Sequence, residues 1–391
     1  MGNDPNAVLG ALRAAPSRAD AVRRFFGLLD AHSAHLADLK RRVEQVYRFE
    51  TPDRPIFQFD VTGHTYEPAG WANSPHDKLL DSNLQRIVFQ LCSMPESDVM
   101  PTLATGLGAS DLIPRMFGVT FDVTPEGAVL QHFNLLEELP HDLARLRDVD
   151  VTQTEPWRDA VERVRFLAEA TAGRIYIAQP QMQGPDTNAA RLMDQSVMLM
   201  ACRTDPDAMR VISNTWAEVA SRLQQTLQQV AGNPALMRPR ARFYQPEWVT
   251  AVVVGDYLPF MQPKRWQEIF GEAFAILHRR AGPIFYHTCG PVIGTEEVLK
   301  ALPGLVGFET SYVRKQSKRL ADLAELKARL AGKLVLCSFE WALGGFTEDM
   351  ENFTAEWLWG MSEGGGFMIQ DSGPTDEGYA LYRRLDLLRE Q

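Results

Sequence analysis

The sequence predicts an α/β protein, a (β/α)8 barrel of the TIM type with an N-terminal helical extension. Three observations predict it. From residue 174 onward, short apolar runs alternate with amphipathic stretches; those runs are apolar at nearly every position; and no Gly-rich turn follows the first strand. Strands that are apolar throughout are covered on both faces, the condition of parallel strands under a helical layer. An open doubly wound sheet carries its glycine fingerprint after the first strand, so its absence favours the barrel. A barrel takes roughly 250 residues. The 391 residues of the chain leave room for a helical extension over 1–50 and, within a barrel over 51–391, for an irregular insertion around 106–150.

The elements follow in order. Phe25, Leu28, Leu29, Leu36, Leu39, Val43 and Val46 recur at helical spacing and predict a helix within 17–50. Residues 55–60 alternate, are rich in large apolar side chains and end at Gly63, which predicts the first strand. A helix over 77–92 and a short strand over 98–103 come next. In the weakly patterned insertion, Pro125-Glu126-Gly127 marks a hairpin turn. Strands are then predicted at 174–179, 248–255, 283–286, 305–308, 333–337 and 366–369. Between them lie helices over 188–229, 264–280, 295–302, 316–331 and 354–362, with a last one from Asp376. Asp205-Pro-Asp207 has the form of a helix start with Pro in its first turn, and Trp266, Ile269, Phe270, Ala273, Phe274 and Leu277 form one apolar face.

Composition narrows the function classes. A formal net charge of −10 argues against nucleic acid as a partner, because phosphate neutralisation needs clustered Lys and Arg. No apolar stretch is long enough to span a bilayer, and the first twenty residues lack both parts of a secretory signal. Cys92, Cys202, Cys289 and Cys337 are widely spaced and form no CxxC, so no disulfide framework is expected and a reducing cytoplasm is the natural setting. Cys337, inside an apolar strand, is expected in the core, and Gly364-Gly365-Gly366 in a tight turn, since no Lys-Ser/Thr follows to make a phosphate cradle.

In a (β/α)8 barrel the chemistry sits at the carboxyl ends of the strands. The polar residues there are Asp60 and His64, Gln179 and Gln181, Asp256 and Tyr257, His287 and Cys289, Glu309, Glu340, then Asp371 and Ser372. His287 and Cys289 are two residues apart at a strand end, so both side chains fall on one face within reach of one ion. Imidazole, thiolate and carboxylate are the donors zinc prefers, and ligands drawn from several strand ends suit a catalytic site with an open position. Each residue also has an ordinary reading. Glu309 and Asp256 serve equally well in a salt bridge or a helix cap, and a lone Cys is often a small core residue.

These residues resemble a known family. Gly255-Asp256-Tyr257, Pro263-Lys-Arg-Trp266 and Phe285-Tyr-His-Thr-Cys-Gly290 are similar to the uroporphyrinogen decarboxylase superfamily, nearest its methylcobamide:coenzyme M methyltransferase branch. Gly307-Phe-Glu-Thr-Ser311 and Gln370-Asp-Ser-Gly373 are also similar to cobalamin-independent methionine synthase. The resemblance covers residues 173–391 and fades before 150. It implies a zinc ion held by His287, Cys289 and Glu309, with Ser372 standing where the family has a second cysteine. Asp371 or Ser372 then completes the site, the latter directly or through water. The Arg-Gln-Ala-Gly run of the decarboxylases is absent, Phe57-Gln-Phe-Asp-Val-Thr-Gly63 standing in its place. No Asp-x-His-x-x-Gly corrinoid motif is present, so a corrinoid would arrive on a separate protein.

The expected function is therefore zinc-dependent methyl or alkyl transfer to a small thiol. Asp256, Tyr257, Asp60 and His64 are the expected catalytic groups, and Gln179 and Gln181 the expected cofactor-binding ones. Two other readings stay open. One is a metal-free carboxy-lyase of the uroporphyrinogen decarboxylase type, using Asp60, Asp256 and His64 on an acidic substrate; the other is a non-catalytic corrinoid or tetrapyrrole carrier. A homodimer is compatible with each.

Overall fold

The computed structural model describes residues 4–388 except 63, 65, 108–111, 124–128, 132–135, 137–141, 181, 240–242, 311–318 and 339–349. Its strands are β1 (Phe57–Val61), β2 (Thr102–Leu103), β3 (Phe121–Val123), β4 (Val129–Gln131), β5 (Tyr176–Ala178), β6 (Met237–Arg238), β7 (Ala251–Val254), β8 (Ile284–Thr288), β9 (Leu305–Thr310), β10 (Val335–Ser338) and β11 (Phe367–Gly373). Six form a curled parallel sheet in the order β1-β11-β10-β9-β8-β7, three a second parallel sheet, β2-β5-β6, and β3 and β4 pair antiparallel. The chain is thus an α/β protein built on parallel strands. Residues 124–128, where the hairpin turn was expected, lie outside the described residues, between the two antiparallel strands that such a hairpin requires.

The two parallel sheets meet at one seam through the bridge Gln183–Val254, reinforced by Gly184 N–H donating to the Val254 carbonyl and Gln179 Nε2 to the Thr250 carbonyl. At the other seam side chains take the place of a ladder. The N–H groups of Phe57, Phe59 and Val61 donate to Asp98 Oδ2, Ser97 Oγ and Gln90 Oε1 at 3.1, 3.3 and 2.6 Å. Every second donor of β1 is satisfied in this way, as buried backbone must be. Asp98 itself is fully buried between Arg42 and Arg54, whose Nη2 atoms lie 2.7 Å from its Oδ1.

The inner face of the larger sheet carries its own apolar cluster. Ile56, Val252, Phe285, Val335, Cys337 and Met368 pack there against Leu39, Val43, Val46 and Tyr47. These four come from the helix Ser33–Tyr47, so the N-terminal helices do more than extend the fold: one of them covers the amino end of the sheet interior. Phe285, Val335, Cys337 and Met368 face inward, while Tyr286, Leu336, Phe367 and Ile369 face the outer helices.

Local chemistry explains most elements. The helices Pro206–Val230 and Pro263–Ala281 begin on Pro, where a missing N–H costs nothing. The helical stretch expected over 17–50 is two helices, Arg18–Ala31 and Ser33–Tyr47, which meet at His32, and a further helix, Pro5–Arg13, precedes it. A helix over Glu155–Ala170 was not anticipated although Trp157, Ala160, Val164 and Leu167, its buried face, stand at helical spacing. The two-residue β6 also went unread, being too short for any periodicity. Gly364, Gly365 and Gly366 all have φ between 61 and 71°, and a Cβ on Gly365 would lie 2.7 Å from the Glu50 carbonyl oxygen. The triplet is a left-handed turn packed on the helix end, in line with the expectation of a tight turn.

Candidate metal centre at the strand ends

The β8 terminus is the starting point. Ile284–Thr288 is buried at every position, and its alternation turns Phe285 and then His287 inward. Two residues later Cys289 leaves the sheet and is exposed, its Sγ 3.2 Å from His287 Nε2. The neighbouring strand end supplies a third donor: Asp256, in the turn after β7, accepts the Cys289 N–H at Oδ1, 3.1 Å away. One ligand-capable atom from each of Asp256, His287 and Cys289 lies within 4.8 Å of the others.

His287 has a second neighbour. Parallel pairing sets His287 beside Glu309 on β9, and Glu309 Oε1 lies 3.4 Å from Nδ1, the ring nitrogen opposite the one facing Cys289. Glu309 is completely buried. The imidazole therefore lies between a carboxylate on one side and the thiol on the other. A tautomer with hydrogen on Nδ1 would give that hydrogen to Glu309 and leave the Nε2 lone pair toward the Cys289 side.

The remaining expected residues distribute around this centre unevenly. Tyr257 follows Asp256 in the same turn; its ring is half-buried and packs near Phe260, and burial pushes its phenol up from 10.0. Asp60 is buried on β1 with the Arg86 guanidinium 3.9 Å away, and it pairs in register with Ser372 of β11. Asp371 stands one residue out of step with Met368 and Gln370, so strand alternation sends it to the opposite face from Ser372. Its Oδ1 accepts the Ser372 N–H at 2.8 Å. Asp371 is not in the ligand-capable group found among the described residues.

His64 points elsewhere. Its ring stacks on Phe89 of the outer helix Pro75–Ser93, centroids 4.3 Å apart, beside a cleft of ≈ 680 Å³ that Tyr379 and Arg383 also line. Gln179 spends its amide on the Thr250 carbonyl, 2.7 Å away, in the seam between the sheets. Gln181 and Glu340 lie outside the described residues.

One residue escaped the sequence reading. Asp186, in the first turn of the helix Pro185–Leu192, is fully buried directly behind the Asp256 turn. Its Oδ2 accepts from Trp266 Nε1 at 3.0 Å and from the Tyr257 N–H at 3.1 Å. Its Oδ1 accepts from the Thr187 N–H at 2.7 Å. Burial raises its carboxyl from 3.8 to about 6, against the pull of these donors. The only local signal was an acidic residue after Gly184-Pro185, which reads equally as an ordinary helix start.

No disulfide joins the described cysteines, and no helix among the described residues is long and apolar enough to cross a membrane. No protein-family model matches the chain, and no curated protein matches its sequence. Among solved structures the fold is similar to that of a methyltransferase from Methanosarcina mazei, at 14% identity and a TM-score of 0.59, covering 89% of this chain and 98% of that one.

Proposed function

We propose that the chain is a zinc-dependent alkyltransferase that passes a methyl or related group to a small thiol at the mouth of a (β/α)8 barrel. The observation that carries the reading is the convergence of a ring nitrogen of His287, Cys289 Sγ and the Asp256 carboxylate within 4.8 Å of one another. Zinc bonds of about 2.0 to 2.3 Å in a tetrahedron hold their ligands roughly 3.3 to 3.8 Å apart, so small side-chain movements suffice to close the three donors on one ion. The two seams between the sheets support closure into a barrel, and the likeness to a protein named as a methyltransferase supports the reaction class.

In this reading Asp256 fills the place that the sequence left to Asp371 or Ser372. Glu309 acts on the far side of the imidazole, holding hydrogen on Nδ1 so that Nε2 remains a donor. Three protein ligands leave one position for the acceptor thiol. A zinc ion bound there would lower the pKa of that thiol, making thiolate available at neutral pH. The protein's own contribution is placement: the β7 and β8 ends fix the acceptor sulfur in line with the alkyl carbon. Sulfur forms the new C–S bond as the donor leaves with the electron pair of the broken bond. Any corrinoid donor would arrive on another protein.

The test is elemental analysis of purified protein together with transfer of a methyl group from methylcobalamin to small thiols. About one zinc per chain is expected for a single site of this kind, lost together with transfer in the His287→Ala/Cys289→Ala double variant. Undiminished transfer by metal-free protein would sink the proposal.

A further inference from the structure

We propose that Asp186 and Thr187 are positioning residues for this centre: together they set the Gly255-Asp256-Tyr257 turn and so aim the Asp256 carboxylate. The inference rests on the metal reading above and deepens it.

The turn is held from both sides. On the β8 side the Gly255 N–H donates to the His287 carbonyl at 2.9 Å, and Tyr286 Oη donates to the Gly255 carbonyl at 2.8 Å. On the other side the Tyr257 N–H donates to Asp186 Oδ2, and the Asp256 N–H donates to Thr187 Oγ1 at 3.2 Å. The Thr187 hydroxyl lies 3.4 Å from Asp186 Oδ1, so it can give its hydrogen to the carboxylate while accepting from Asp256. Three consecutive residues thus have their N–H groups fixed. From the middle one, the carboxylate reaches across to accept the Cys289 N–H. A Cβ on Gly255 would stand 2.9 Å from Asp186 Oδ1 and 2.7 Å from Tyr286 Oη, so backbone and carboxylate are in close contact.

A local role in its own helix explains one part of this arrangement. The bond from the Thr187 N–H to Asp186 satisfies a donor in the first turn. It does not explain why the other oxygen serves Trp266 and Tyr257, eighty and seventy-one residues away. An apolar residue would fill the same space without desolvating a carboxyl group. What the carboxylate adds is two acceptor oxygens that orient N–H groups from three separate segments around the turn bearing Asp256.

The groups around Asp186 are donors, which gives the test its logic. In Asp186→Asn one acceptor becomes an NH2 facing another donor, and in Thr187→Val the acceptor for the Asp256 N–H disappears; Thr187→Ser keeps it. The experiment uses the full chain stripped of metal, titrated with Zn2+ against a chromogenic chelator, and separately with Co2+ followed by absorption. Expected are a roughly 10- to 100-fold loss of zinc affinity in Asp186→Asn and Thr187→Val, as for other outer-sphere positions, and near-wild-type affinity in Thr187→Ser. The cobalt-substituted variants should keep the thiolate charge-transfer band of Cys289 while their ligand-field bands change, since Asp256 rather than Cys289 has moved. Wild-type affinity and spectra in folded Asp186→Asn and Thr187→Val would overturn the positioning role and leave the metal centre standing. A wild-type chain that binds neither ion would overturn both. Should Asp186→Asn fail to fold, Thr187→Val, which leaves the buried carboxylate in place, decides the question by itself.

Discussion

Asp98 and Asp186 are both fully buried carboxylates, at opposite ends of the parallel sheet, and they are met in opposite ways. Asp98, at the amino end, lies between the guanidinium groups of Arg42 and Arg54 and accepts the Phe57 N–H. Asp186, behind the carboxyl end, is met by an indole N–H, two backbone N–H groups and a hydroxyl. The first arrangement neutralises a charge and fastens helix, loop and first strand together. The second leaves the charge to neutral dipoles, which orient a turn but do not cancel burial, so its carboxyl is raised to about 6. One end of the molecule uses buried charge to hold the fold, the other to aim a functional group.

Removing either carboxylate would test that division. The largest loss is expected for Asp98→Ala, which removes the buried carboxylate shared by two guanidinium groups and leaves Arg42 with Asp38 and Arg54 with backbone carbonyls alone; about 3 to 5 kcal/mol should disappear from the urea unfolding free energy. A cost near zero would mean that the cluster fastens nothing.

Asp186 should show itself through pH. Its folded pKa lies above the ordinary value of 3.8, so the folded state holds the proton more tightly than the unfolded one. The stability that this contributes is full below 3.8 and is lost as pH rises through about 6. The loss is on the order of 3 kcal/mol at 1.36 kcal/mol per pH unit. In urea unfolding at pH 4, 5, 6 and 7, the advantage of wild type over Asp186→Asn should therefore shrink as pH rises. A widening gap would show that the donors outweigh burial.

A smaller effect is expected at Gly290, where a Cβ would lie 2.2 Å from Pro259 Cγ. The loop carrying Cys289 must shift in Gly290→Ala, at a cost of about 1 to 3 kcal/mol by urea unfolding, with zinc affinity falling alongside. Unchanged affinity would detach the loop from the centre. The smallest belongs to the surface. Lys40 and Glu247 pair 3.0 Å apart, both about two-fifths exposed, and Lys40→Ala should change stability by no more than about 0.5 kcal/mol. A loss rivalling that of Asp98→Ala would remove the contrast between buried and surface charge on which the comparison rests.

Legibility in the sequence followed the range of the forces involved. Strand and helix positions in the second half were readable because apolar periodicity is local, and His287 with Cys289 was readable because two residues so close at a strand end stay near each other whatever the rest of the fold does. Glu309 was readable as a strand-end acid, but its place beside Nδ1 depends on the register between β8 and β9. The facing of Asp371 and Ser372 could not be read, since Phe367, Met368 and Ile369 are apolar on both faces and carry no alternation. His64 follows the first strand as an active-site residue would, yet its ring goes to Phe89, a partner that only the packing of the outer helix supplies.

The sequence by itself therefore determined the parallel α/β class, the acidic and cysteine-poor character, and the His287–Cys289 pair. Tertiary structure alone decided the partners. Asp256 joins the pair because the β7 and β8 ends are neighbours, Glu309 takes the other side of the ring because of strand register, and Asp186 is buried because Trp266 closes over it. The physical reason is one of distance along the chain. Side-chain periodicity is written within a few residues, whereas desolvation and hydrogen-bond satisfaction are set by segments thirty to eighty residues apart that meet only on folding.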